Sequence, residues 1–142
     1  MKALPASLLL ASCLLLAGGT QAAVQEFGPD FSRFTIDVPE GWTAQAIDGG
    51  VQMADPEGAC SLAVTNVKPG DASAESLCRD IVQKAGIQNP KELGKEEGSY
   101  AMSGTRDGAP LVVAVTVEGG LAAVIVMGGD IGKASGPLDT LK

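Results

Sequence analysis

Short runs of alternating apolar and polar side chains, cut by Gly and Pro, fill most of this chain, and one stretch of helical period interrupts them. Residues 33–38 place Phe34, Ile36 and Val38 on one face and Arg33, Thr35 and Asp37 on the other, the pattern of a half-buried strand. It stops at Pro39-Glu40-Gly41. Residues 42–47 and 51–54 flank Asp48-Gly49-Gly50, where Gly supplies the positive φ of a tight hairpin. After a second turn, Asp55-Pro56-Glu57-Gly58, the side chains of Cys60, Leu62 and Val64 alternate with Ser61, Ala63 and Thr65. Cys60 therefore belongs to the apolar face of its strand.

Over residues 73–85 the period changes: Ala74, Leu77, Cys78, Ile81, Val82 and Ala85 fall on one helical stripe. Asp71 or Ser73 suits the N-cap, Gly86 the stop, and Glu75 with Arg79 and Asp80 with Lys84 form i,i+4 pairs on the outer side. Asn89-Pro90 and the charged residues 91–97 read as a connection. Strands resume at residues 100–106, 111–118 and 121–127, separated by Asp107-Gly108 and Gly119-Gly120. The last is apolar on both alternating faces, which predicts a central strand covered on both sides. The order is that of an α+β domain: an antiparallel sheet of about six to seven strands, one main helix packed on it, and a short closing helix near Leu138 and Leu141.

The start of the chain belongs to a different grammar. Lys2 precedes an apolar run containing Leu8-Leu9-Leu10 and Leu14-Leu15-Leu16, and Gly18-Gly19-Thr20-Gln21-Ala22-Ala23 closes it. A basic start, an apolar middle and a small-residue exit predict a signal peptide over residues 1–22, cleaved between Ala22 and Ala23. The run is about half the length that a membrane-crossing helix needs, so the mature chain, one domain over residues 23–142, is expected to hold no transmembrane segment. Leu10-Ala11-Ser12-Cys13 also matches a lipobox, whose Cys carries lipid in an envelope lipoprotein. Three leucines after Cys13 stand where such a protein places a polar tether, which disfavours this alternative. The expected location is the periplasm or the exterior, with a lipid-anchored form as the alternative.

Export changes the reading of the cysteines. Cys13 leaves with the leader, and Cys60 and Cys78 remain as an even pair, which suits a disulfide in an oxidising compartment. If the helix packs its stripe on the same sheet face that carries Cys60, the two meet, and the bridge contributes about 3 kcal/mol in the chain-entropy model. Free buried thiols are the alternative. The net charge of −7, one unit more negative without Lys2, argues against nucleic acid and anionic lipid as partners.

Phe34-Thr35-Ile36-Asp37-Val38-Pro39-Glu40-Gly41-Trp42, followed by the hairpin at Asp48-Gly49-Gly50, resembles the opening of the PsbP-like fold group. Within that group the chain looks like the small DcrB-type bacterial envelope proteins. The motif residues are Pro39, Gly41 and Trp42, and the resemblance spans residues 27–142. It implies a fold used for binding and assembly rather than catalysis, and it narrows fold more than task. Trp42 either plugs the edge of the core or stacks on a ligand.

The candidate chemistries are few. The chain has no His, which removes the commonest general base, the Ser-His and Cys-His nucleophiles and the usual zinc sites. Cys60 and Cys78 lack the spacing of a redox pair. Gly128-Gly129-Asp130-Ile131-Gly132 lacks the Lys of a phosphate loop, and no calcium-loop pattern occurs. Carboxylate pairs such as Glu96 with Glu97, or Asp55 with Glu57, leave a hydrolase as the rival reading. The leading expectation is an exported, non-catalytic periplasmic binding or assembly domain without cofactor or metal, whose partner is a protein or small ligand of the cell envelope.

Overall fold

The computed structural model describes residues 23–142. The expected signal peptide over residues 1–22, with Cys13 and Ala22, lies outside the described residues. Two antiparallel sheets form. β1 (Ala23–Phe27) and β2 (Phe34–Val38) make a small hairpin sheet of their own. The main sheet contains β3 (Thr43–Ile47), β4 (Gly50–Ala54), β5 (Cys60–Val67), β6 (Gln88–Glu96), β7 (Ser99–Arg106), β8 (Ala109–Glu118) and β9 (Leu121–Gly129). Its seven strands run in the order β3-β4-β5-β9-β8-β7-β6. The last strand of the chain therefore lies in the middle, between β5 and β8, as its two apolar faces require.

Helix α1 (Ala74–Lys84) follows β5. Ser73 caps it: the Ser76 backbone N–H donates to Ser73 Oγ at 3.1 Å, and Ser76 Oγ accepts from the Ser73 N–H at 3.0 Å. Its stripe lies over β7 and β8, where Ala74, Cys78 and Val82 join Tyr100, Met102, Val113, Val115 and Val124 in one core. The opposite face carries a second core, in which the β1–β2 hairpin lays Phe34, Ile36 and Val38 against Val51, Met53, Cys60, Leu62 and Val64. A 3-10 turn at Ile131–Ala134 and the short helix α2 (Ser135–Asp139) complete that layer. The last residue is stitched to β2, since the Thr35 N–H donates to Lys142 O at 3.0 Å and the Lys142 N–H donates back to Thr35 O at 3.1 Å.

The strand parity shows that the two cores lie on opposite sides of one sheet. Leu62 pairs with Met127 and Val64 with Ile125, on the hairpin side, while Val124 and Val126, one residue out of step, pair with Val115 and Val113 beneath α1. This corrects the expectation of a Cys60–Cys78 bridge. Both cysteines are buried and free; α1 and Cys60 occupy opposite faces, so the sheet itself stands between the thiols. Two further differences have physical causes. The strand expected at residues 33–38 forms as Phe34–Val38, but in the small sheet laid over the main one. Residues 88–96 form β6 rather than a connection, held by pairing with β7 although all nine of its residues are exposed.

Candidate binding surface

Two polar clusters stand at the ends of the sheet. In the first, the β4–β5 turn folds around Asp55, whose side chain is 2% exposed. Asp55 Oδ1 accepts the Cys60 N–H at 2.8 Å, and Lys133 of the 3-10 turn donates to Oδ2 at 3.1 Å. Glu57 lies 3.7 Å from the same ammonium. The bond from Cys60 and then Lys133 hold the Asp55 carboxyl below its ordinary value despite burial, and Asp55 in turn raises Lys133. Burial, and next the Asp55 charge, push the Cys60 thiol up, the wrong direction for a nucleophile. This cluster ties a turn to the C-terminal segment.

The second cluster joins α1 to the β6–β7 hairpin. Glu75 accepts from Lys95 Nζ at 2.8 Å and from Arg79 Nε at 3.0 Å, and these two bonds, Lys95 first, lower its carboxyl. Arg79 Nη2 also donates to the Tyr100 hydroxyl at 2.7 Å, with the guanidinium 5.3 Å from the ring centre. These exposed ions contribute little to stability but fix the hairpin's position.

Among the described residues the two carboxyls that shift clearly, Asp55 and Glu75, both move down into ion pairs, the opposite direction from the raised pKa of a general acid. Glu96 and Glu97 are exposed beside the hairpin turn. Among the described residues no group of three or more His, Cys, Asp and Glu is placed to hold a metal ion. Gly129, at φ +76°, lets β9 approach the Ala59 carbonyl closely, and the Asp130 N–H donates to that carbonyl at 2.7 Å. Gly128 beside it makes room instead for the Ser61 and Leu111 side chains.

The main sheet is only partly covered by its two layers. On the side away from α1, Gly94 pairs with Ala101 and Ala101 with Ala114, and Ser99 pairs with Thr116. These small residues floor a shallow hollow of about 380 Å³ rimmed by Lys95 and Glu96. A second hollow of about 490 Å³ lies across the hairpin between the start of α1, Glu97 and Tyr100. The sequence offered no signal for either hollow beyond the alternating small side chains of Ser99, Ala101 and Ser103.

Pro39, Gly41 and Trp42 lie between β2 and β3. The Trp42 N–H donates to Pro39 O at 3.0 Å, Gly41 takes φ +82° against Pro56, and the half-buried indole packs on the edge of the hairpin-side core. That is the position of a plug at the core edge. Ala23 opens β1 opposite Val38.

No family model matches the chain, and no curated protein matches it. Among solved structures it is similar to the cyanobacterial PsbP (CyanoP) from Synechocystis sp. PCC 6803, at 12% identity over 86% of this chain and 93% of that one, with a TM-score of 0.53. The fold is PsbP-like. A protein from Bacteroides thetaiotaomicron VPI-5482 is more distant, at 12% identity over 77% of this chain and 44% of that one, with a TM-score of 0.48. Among the described residues no helix is long and apolar enough to cross a membrane.

Proposed function

We propose that this chain is an exported, non-catalytic accessory domain of the cell envelope, of the DcrB type within the PsbP-like group, which binds a protein or small ligand on the open half of its sheet. The observation that carries the reading is the hollow of small side chains on β6–β8, beside clusters whose shifted carboxylates are all tied up in ion pairs. Such a surface offers shape and backbone approach, not reactive groups. The tripartite start of the sequence supports export, with processing before Ala23.

A photo-crosslinking residue at Ala114 or Thr116 in living cells tests it, with Asp80 on the outer side of α1 as the control position. A defined adduct from the hollow, absent at Asp80 and lost when Ala101→Arg fills the floor, is the expected result. Equal labelling at all three positions would refute it. The lipobox at Leu10–Cys13 favours a second reading, a lipid-anchored envelope lipoprotein. The intact mass of the cell-derived protein separates the two: a chain beginning at Ala23 supports the first, and a diacylated Cys13 the second.

A further inference from the structure

The two outer strands of the main sheet are built differently. β6 carries Pro90, Lys91 and Lys95, and its pairing with β7 slips at Gln88/Lys91 and again at Glu92/Gly94. Proline, lysine and bulges are the devices that keep a sheet edge from pairing with another chain. β3 has none of them. Its residues Thr43, Ala44, Gln45, Ala46 and Ile47 carry no charge, and the register with β4 runs without a slip from Thr43 opposite Ala54 to Ile47 opposite Gly50. Among the described residues no strand lies beyond it. Thr43, Gln45 and Ala46 are exposed, and a hollow of about 420 Å³ lies over Thr43–Gln45 and Gln52–Ala54.

We infer that β3 is a self-pairing edge, to which a second copy of this chain adds its own β3, antiparallel about a two-fold axis through Gln45. The occupant follows from charge. In that register Gln45 meets Gln45, Ala44 meets Ala46 and Thr43 meets Ile47, so no like charges face each other even though the whole chain is at −7. Asp48, the acid next to the strand, falls opposite Trp42. An isologous two-fold contact of this kind is the commonest way for identical chains to associate. The two sheets become one continuous sheet, and the hollow receives the partner's side chains. A five-residue strand pair buries less than the roughly 1,200 Å² of a standard stable interface, so the dimer is weak and its population rises with protein concentration and with salt, which screens the net repulsion.

Sedimentation of the purified chain over a concentration series, at low and high salt, tests the inference. The expected result is reversible dimerisation that strengthens with salt. Gln45→Lys and Gln45→Glu each place like charges directly opposite one another and weaken the dimer about fivefold. An equimolar mixture of the two variants recovers it, because Lys then faces Glu. Leu93→Lys on the β6 edge leaves it unchanged. Gln45 is exposed, so both variants keep the fold, which circular dichroism checks; Ala46→Lys serves as a second disrupting variant. A chain that stays monomeric throughout, as it would if the edge served an extended segment of another protein, overturns the inference. So does a dimer that survives Gln45→Lys, or one that yields to Leu93→Lys. The test needs no envelope partner, so its outcome is independent of the open half-face.

Discussion

Reducing agent should leave the thermal stability of this domain unchanged. Cys60 and Cys78 are 1% and 0% exposed and sit in separate cores, with the sheet between them. A bridge between these positions would have contributed about 3 kcal/mol. In a domain of this size that corresponds to about 10 to 15 °C of melting temperature. Free thiols give the reductant nothing to remove, so melting curves with and without it should superimpose. Alkylation followed by intact mass supplies the complementary count. Burial pushes both thiols above their ordinary range and closes access to them, so the native chain should take up no label at mildly alkaline pH. A denatured chain of residues 23–142 should take up two labels, one on Cys60 and one on Cys78, before any reductant is added. A denatured chain that resists labelling until reduced, together with a melting temperature that falls by about 10 °C on reduction, would refute the reasoning. It would mean that α1 and the apolar face of β5 share a side of the sheet, against the strand parity.

Ile36→Ala, in the fully buried centre of the hairpin layer, should lower stability by about 2 to 5 kcal/mol, measured by urea unfolding. Loss of well under 1 kcal/mol would mean that the hairpin does not pack on the sheet. Folding lowers the pKa of Asp55, so its contribution is complete at neutral pH and is lost as acid carries the group through its folded-state pKa, below the ordinary carboxylate value. The melting temperature of Asp55→Asn should therefore fall less steeply than that of the unmodified chain between about pH 5 and pH 2, and parallel profiles would contradict the Lys133 pairing. Gly129→Ala should unfold more readily than Gly119→Ala, because a methyl at Gly129 meets the Ala59 carbonyl whereas Gly119 faces open space; both have positive φ, so backbone strain cancels in the comparison.

The helix and the central strand were legible because several local cues agree there. The stripe through Ala74, Cys78 and Val82 coincides with a Ser73 cap and two i,i+4 ion pairs, and all of these are present. β9 declared its place because both of its parities are apolar. β6 was hidden for the opposite reason: it buries no side chain, and its strand form comes from hydrogen bonds to β7 that no pattern in residues 88–96 records. β1 is hidden in the same way, lying against β2 with four of its five residues exposed. The disulfide failed on a subtler point. Alternation shows that Cys60 faces a core and the helical stripe shows that Cys78 faces a core, but neither says which. The ion pair of Asp55 with Lys133 was equally out of reach, since the ordering of the C-terminal turn over the β4–β5 loop is tertiary. The motif at Pro39, Gly41 and Trp42 was visible beforehand, but it lies at the edge of the hairpin-side core, away from the hollow on β6–β8.

The central place of β9 constrains the order in which this chain can be completed. As the polypeptide emerges, β3–β5 and β6–β8 are each able to form as a local meander, but β5 and β8 then present bare inner edges until Leu121–Gly129 arrives to fill the gap. The closing bonds from Lys142 to Thr35 come later still. An incomplete chain is therefore two half-sheets, each with an unpaired edge next to its own apolar face, the state most prone to pairing with the wrong partner. A chaperone that holds the chain extended until its last residues are released would act on this interval, and truncation before β9 should convert a foldable domain into an aggregating one.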